Sequence, residues 1–173
     1  MQRVDIGIQV AEALDYAHEQ KVVHRDVKPG NIIFDVNKGQ LKVTDFGIAC
    51  LTDNSKTRTG TVLGSPFYMS PEQIAGKKVD GRSDLFSLGV TLYQLFTGRL
   101  PFEGDSLTSL MYQITNEKPK SIRKLRSELP TCLTRLINKA LEKHPDKRFA
   151  NGQAMAEAIR RCAERSAEEW EVE

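Results

Sequence analysis

Residues 22–31 read VVHRDVKPGN. Two apolar β-branched residues run straight into His24, Arg25, Asp26, Lys28 and Asn31, and the Pro29-Gly30 pair then breaks any regular element. Asp26 alone is the kind of residue that fills a turn. Its company points to chemistry instead. An Asp beside a Lys and an Asn on a rigid loop can take a proton from an alcohol while the other two manage phosphate and metal charge. Mg²⁺ is a hard cation that prefers oxygen ligands, so a second carboxylate is needed. Asp45, in TDFG at 44–47, supplies it.

Outward from this stretch, residues 3–20 carry Val4, Ile8, Ala11 and Leu14 on one helical stripe, with Ile6, Val10, Ala13 and Ala17 beside it. So wide an apolar face predicts a helix buried on most sides. On the other flank, NIIF (31–34) and LKVT (41–44) read as strands, and Asn37 and Gly39 between them favour a turn. A hairpin of this kind brings Asn31 and Asp45 together at its outer ends. From 45 to 72 the pattern dissolves into Thr, Ser, Gly and Pro, and a loop of that length is usually functional. Beyond it, 83–98 predicts an almost wholly apolar central helix with a Ser83 cap, Gly98 at its end and Pro101 after it. Further helices are expected over 105–116, 127–143 and 150–170, with Pro130 in a first turn. The expected fold is mainly α, with one small β-hairpin beside the polar loop.

The totals narrow the function classes. With 173 residues, 39% hydrophobic and 28% charged, the chain is long enough for a packed core. Lys plus Arg is 25 and Asp plus Glu is 23, which argues for neither nucleic acid nor a membrane surface as partner. No apolar run approaches the roughly 18 residues of a membrane span, and the first residues lack a signal-peptide core. Cys50, Cys132 and Cys162 are odd in number and widely spaced, so no disulfide framework is expected and a reduced cytoplasmic setting is the default. Cys50 reads as a small buried residue, and Trp170 as a helix-end contact or part of a frayed tail.

VVHRDVKPGN resembles the catalytic loop of protein kinases, and Asp45-Phe46-Gly47 resembles their metal loop. GSPFYMSPE (64–72) is similar to the segment that ends in Ala-Pro-Glu, with Ser70 in place of Ala. SDLFSLGV (83–90) looks like the start of the kinase central helix, and KHPDKRF (143–149) like the Arg motif near the family's C-terminus. Three residues of DFG alone are weak, but five motifs in order over 22–149 are specific. Their style is closest to bacterial eukaryotic-like serine/threonine kinases. The resemblance implies a protein-kinase large lobe (22–31 catalytic loop, 45–72 activation segment, 80–170 helical body) that uses ATP and Mg²⁺ on a protein substrate.

It also implies roles. Asp26 is the expected catalytic base, Lys28 contacts the transferring phosphate, and Asn31 and Asp45 hold Mg²⁺. His24 and Phe46 stack between the lobes, Asp84 braces the catalytic-loop backbone, and Glu72 and Arg148 form a buried ion pair. Arg25 is expected to meet a phosphate on Thr59, with Thr57 as second choice and Thr61 also a candidate. A solvated, unmodified loop at 57–61 is the other reading. Ser65 stands where the family has a Thr that bonds near the base.

No G-x-G-x-x-G and no VAIK-like strand lies in the sequence, so the small lobe is expected to be absent from this chain. Weak nucleotide binding follows as an expectation, as does self-association through an exposed apolar face near Ile32, Ile33 and Phe46. The alternative function is a truncated, pseudokinase-like module that docks a kinase or a substrate.

Overall fold

The computed structural model describes residues 2–46 and 65–167. Helix α1 spans Gln2–Glu19. Strands β1 (Ile32–Asp35) and β2 (Gln40–Val43) pair antiparallel, with Ile32 opposite Val43 and Asp35 opposite Gln40. Then come α2 (Pro71–Ile74), α3 (Gly81–Thr97), α4 (Leu107–Asn116), α5 (Ile122–Leu125), α6 (Thr131–Ala140) and α7 (Gly152–Arg165). The mainly helical fold with one hairpin among the described residues is as expected. The short α2 and α5 were not foreseen, because four residues are too few for a periodic signal.

The hairpin turn is local chemistry. The Asp35 carboxylate accepts hydrogen bonds from the backbone N–H groups of Asn37 (3.0 Å) and Lys38 (3.2 Å). The turn is tied to α1, where the Gln9 side-chain amide donates to the Gly39 carbonyl at 3.0 Å.

Helix α3 is the axis of the body. Leu85, Phe86, Leu88, Val90, Leu92 and Tyr93 are all buried, so neighbours cover it on every side. It packs against α1 on one flank and α6 on another, while α7 lies along α1. Gly98 ends α3 in the left-handed region at φ 72°, its N–H on the Gln94 carbonyl at 2.8 Å. The expected start is corrected. Asp80, not Ser83, caps α3, accepting from the Arg82 N–H at 2.9 Å. Ser83 lies inside the helix, and its hydroxyl faces Glu72. Pro130 likewise precedes α6 rather than standing in its first turn. On α1 the buried face is Val4, Gly7, Val10, Ala11, Leu14 and Ala17, with Ile6, Ile8 and Ala13 half-buried at its margins.

The cysteine expectation is also corrected. Cys132 and Cys162 form a disulfide between α6 and α7. Their separation of 30 residues carries no local signature, and helix packing brings them together. Cys50 and Trp170 lie outside the described residues.

Candidate active site

The polar loop is held from behind. Val27 is fully buried and anchors it to the core. The Asp84 carboxylate, almost fully buried, accepts from the backbone N–H of His24 (2.8 Å) and of Arg25 (2.9 Å). Its third partner is His18, whose Nε2 lies 2.7 Å from Asp84 Oδ2. Three donors on one buried carboxylate satisfy it well, and charge-assisted bonds of this kind are stronger than neutral ones. Sequence reasoning missed His18, since a His in the last turn of a helix carries no pattern of its own. Gly81 has a reason in the same place. A Cβ there would fall 2.5 Å from the His18 ring, so only glycine lets α3 begin against it.

His24 is buried and links the loop to the hairpin. Its Nε2 donates to the Thr44 carbonyl at 2.7 Å, and its Nδ1 accepts from the Asp26 N–H at 3.1 Å. The Phe46 ring meets it edge-on, with centroids 4.5 Å apart. Arg25 (φ 70°) and Asp45 (φ 61°) both adopt left-handed backbone, which costs a non-glycine residue roughly 1–2 kcal/mol each. Strain of this kind persists where surrounding bonds fix it, and it clusters at functional sites. For Arg25 the fixing bonds are its N–H on Asp84 and its carbonyl, which accepts from Gln73 Nε2 at 3.0 Å. Gln73 was another residue the sequence reading passed over. Its signal was present in Ser70-Pro71-Glu72-Gln73, a capping box that seats α2 beside the loop.

Four side chains converge at the open face. Asp26 and Lys28 are each about a quarter exposed (29% and 28% of their side chains), with Lys28 Nζ 3.4 Å from Asp26 Oδ2. Lys28 Nζ donates to Ser65 Oγ at 2.9 Å, and the Ser65 N–H reaches Asp26 Oδ1 at 3.5 Å. Asn31 Nδ2 donates to the Asp26 carbonyl (2.8 Å) and to Asp26 Oδ2 (3.3 Å). With Nδ2 so engaged, Asn31 Oδ1 remains as an acceptor. The hairpin joins Asn31 to the residue before Asp45: the Thr44 N–H and hydroxyl donate to the Asn31 carbonyl at 2.8 and 3.2 Å, and Asp45 follows directly, exposed. An amide oxygen and a carboxylate form a hard donor pair. Mg²⁺ characteristically takes one or two protein oxygens and completes its shell with phosphate and water, so the residues present fit that ion.

Behind α2 lies the ion pair. Arg148 Nη1 and Nη2 donate to Glu72 Oε1 (2.6 Å) and Oε2 (2.8 Å), both side chains being buried. The same guanidinium donates to the carbonyls of Glu142 (2.7 Å), Lys143 (3.0 Å) and Arg82 (3.1 Å), and lies 4.9 Å from the Phe86 ring centroid. Ser83 adds its hydroxyl to Glu72. Burial opposes ionisation of Glu72, but the hydrogen bonds from Arg148 and Ser83 prevail and hold it below the usual carboxylate range. Nearby, burial and the Arg148 charge push Lys143 down to about 8. Its ammonium caps α4, donating to the Ile114 carbonyl at 2.6 Å, and sits 4.2 Å from the Phe102 ring centroid.

Around the hairpin the surface is apolar: Ile33 (58% exposed), Val36 and Phe46 stand open, as does Tyr16 on α1. Ile32, expected with them, turns inward against the core. Thr57, Thr59, Thr61 and Gly47 lie outside the described residues.

Comparison with known proteins agrees with this arrangement. The family model described as the protein kinase domain matches residues 2–159. A probable serine/threonine-protein kinase of Clostridium perfringens is 45% identical over 147 residues, 84% of this chain and 21% of that protein. The serine/threonine-protein kinase PksC of Streptomyces coelicolor is 44% identical over 161 residues, 91% of this chain and 29% of its own length. The crystal structure of the Mycobacterium tuberculosis PknI kinase domain superimposes with a TM-score of 0.70 at 30% identity, covering 93% of this chain and 54% of that one. The chain therefore spans less than a third of these curated relatives and about half of the solved kinase domain. With the protein kinase domain model matched over 2–159 and the solved kinase domain superimposed on 93% of its length, this chain belongs to the protein kinase family and has the fold of its large lobe.

Proposed function

We propose that the site phosphorylates Ser or Thr hydroxyls of a protein substrate, with Asp26 as the base. The observation that carries this reading is the convergence of Lys28, Asn31 and the Ser65 backbone on the Asp26 carboxylate and its loop. Asp26 accepts the hydroxyl proton as the oxygen bonds to the γ-phosphorus of ATP, and the bond from that phosphorus to the β–γ bridging oxygen breaks so that ADP leaves. Lys28, held by Ser65, places a positive charge beside the transferring phosphate and keeps the base oriented. Asn31 Oδ1 and Asp45 are the residues that would hold Mg²⁺, which supplies charge neutralisation between the ATP phosphates. His24, Asp84 and His18 set the backbone under the base. Arg25 serves as the receptor for a phosphate on Thr59 or Thr57. The setting proposed is the cytoplasm; no helix among the described residues is long and apolar enough to cross a membrane.

Phosphoryl transfer depends almost wholly on positioning and electrostatics. These 173 residues by themselves are expected to bind nucleotide weakly and transfer slowly, and to self-associate through Ile33, Val36 and Phe46. The test is transfer from labelled ATP to a generic basic protein by this chain and by Asp26→Asn. Slow transfer that vanishes in the variant supports the reading, and equal transfer from both overturns it. Absence of transfer from both favours the second reading, a docking module, which the exposed apolar hairpin face supports.

A further inference from the structure

The Cys132–Cys162 bond is not needed by the chemistry above, yet its placement is specific. Cys132 opens α6 and is half-buried, while Cys162 lies buried in the last turns of α7. The bond closes a ring of chain that contains most of α6, Arg148 and most of α7. Inside that ring Arg148 grips Glu72, and α7 packs along α1, where Arg160 pairs with Glu12. Helix α1 in turn carries His18, the partner of Asp84 beneath the catalytic loop. The bond therefore fastens the outer end of the helix that supports α1. Ser166 Oγ lies 3.5 Å from Cys132 Sγ, and of these three residues Cys162 and Ser166 are buried while Cys132 is half-buried. The half-buried Cys132 is therefore the side from which an exchanging thiol reaches the bond.

We propose that Cys132 and Cys162 form a reversible thiol–disulfide switch that fastens α7 to α6 and so stiffens the α1–α7 pair behind the catalytic loop. Oxidation breaks two S–H bonds and forms one S–S bond. The two hydrogens and two electrons pass to a small-molecule disulfide, which is cleaved to two thiols; excess dithiol reverses the step. Closing a ring of this size constrains the unfolded chain, and the effect on a domain of this length is a Tm difference on the order of 10 °C.

The whole chain is treated with oxidised or reduced glutathione and alkylated, and its labelled cysteines are located by mass spectrometry. Amide hydrogen exchange and Tm are recorded on the same samples. The expected result is protection of Cys132 and Cys162 from alkylation after oxidation, with exchange across 152–165 and the facing part of α1 slowed at least tenfold relative to the reduced form. Cys132→Ser, at the half-buried position, keeps the fold and abolishes both redox responses; Cys132→Ala serves if the Ser variant folds poorly. Alkylation of both cysteines after oxidation overturns the proposal, as does equal exchange in the two redox states or a Tm response that survives in Cys132→Ser.

Discussion

Replacing Arg148 by Met keeps much of the side-chain volume but removes the guanidinium. Five hydrogen bonds go with it, two to the Glu72 carboxylate and three to the carbonyls of Glu142, Lys143 and Arg82. Among the described residues Glu72 then keeps Ser83 as its one side-chain donor and sits buried with no counter-charge. Breaking a buried pair from one side costs about 3–5 kcal/mol, since the surviving charge has lost both water and partner. At roughly 2–4 °C per kcal/mol for a chain of this size, Tm should fall by about 6–20 °C. Urea unfolding followed by far-UV circular dichroism measures the change directly. The double variant Glu72→Gln/Arg148→Met should be less destabilised than the sum of the two single changes, because no charge is then left alone. A loss below about 1 kcal/mol for Arg148→Met, or strict additivity in the double variant, would refute the buried-pair reasoning. The pH dependence has a definite sign. Glu72 is held below its unfolded pKa of about 4.5, so the unfolded chain binds more protons as the solution is acidified through and below that value. The pair's contribution is complete above that value and is lost as pH falls through the lower folded pKa. Arg148→Met should flatten this acid limb.

The other predictions follow from the same contacts. His18→Ala removes a donor from the buried Asp84 and should cost about 1–3 kcal/mol, with faster exchange of the His24 and Arg25 amides; unchanged exchange there would sever the proposed link between α1 and the loop. Lys143 should titrate near 8 when followed by NMR of its side chain, against the ordinary 10.5. Its folded pKa is lowered, so between those values the unfolded chain binds more protons and this group makes stability rise with pH; a midpoint close to 10.5 would dismiss the burial argument. Gly98→Ala forces a Cβ into left-handed backbone at φ 72° and should cost about 1–2 kcal/mol by thermal unfolding, whereas no loss would mean that α3 ends differently in solution.

Short-range physics was legible from the residues. The helical stripe of α1, the Asn37–Gly39 turn, the Gly98 terminus and the apolar α3 each arise from interactions within a few positions along the chain, which periodicity and caps report. The motif order was legible as well, and with it the hairpin that pairs Asn31 with Thr44, the residue before Asp45. What tertiary structure alone decided lies at long separation. Ser83 reads as a cap, yet it is drawn to Glu72, because Asp80 takes the cap and the buried carboxylate needs another donor. His18 carries no pattern, yet it meets Asp84 across 66 residues. Arg148 was anticipated as the partner of Glu72, but not as the donor to three carbonyls. Cys132 and Cys162 looked unpaired, and only the packing of α6 against α7 joined them. A buried polar group must find its partner wherever the fold leaves a donor or acceptor unsatisfied. The sequence determined the long elements and the order of the polar motifs on them, and packing alone chose those distant partners.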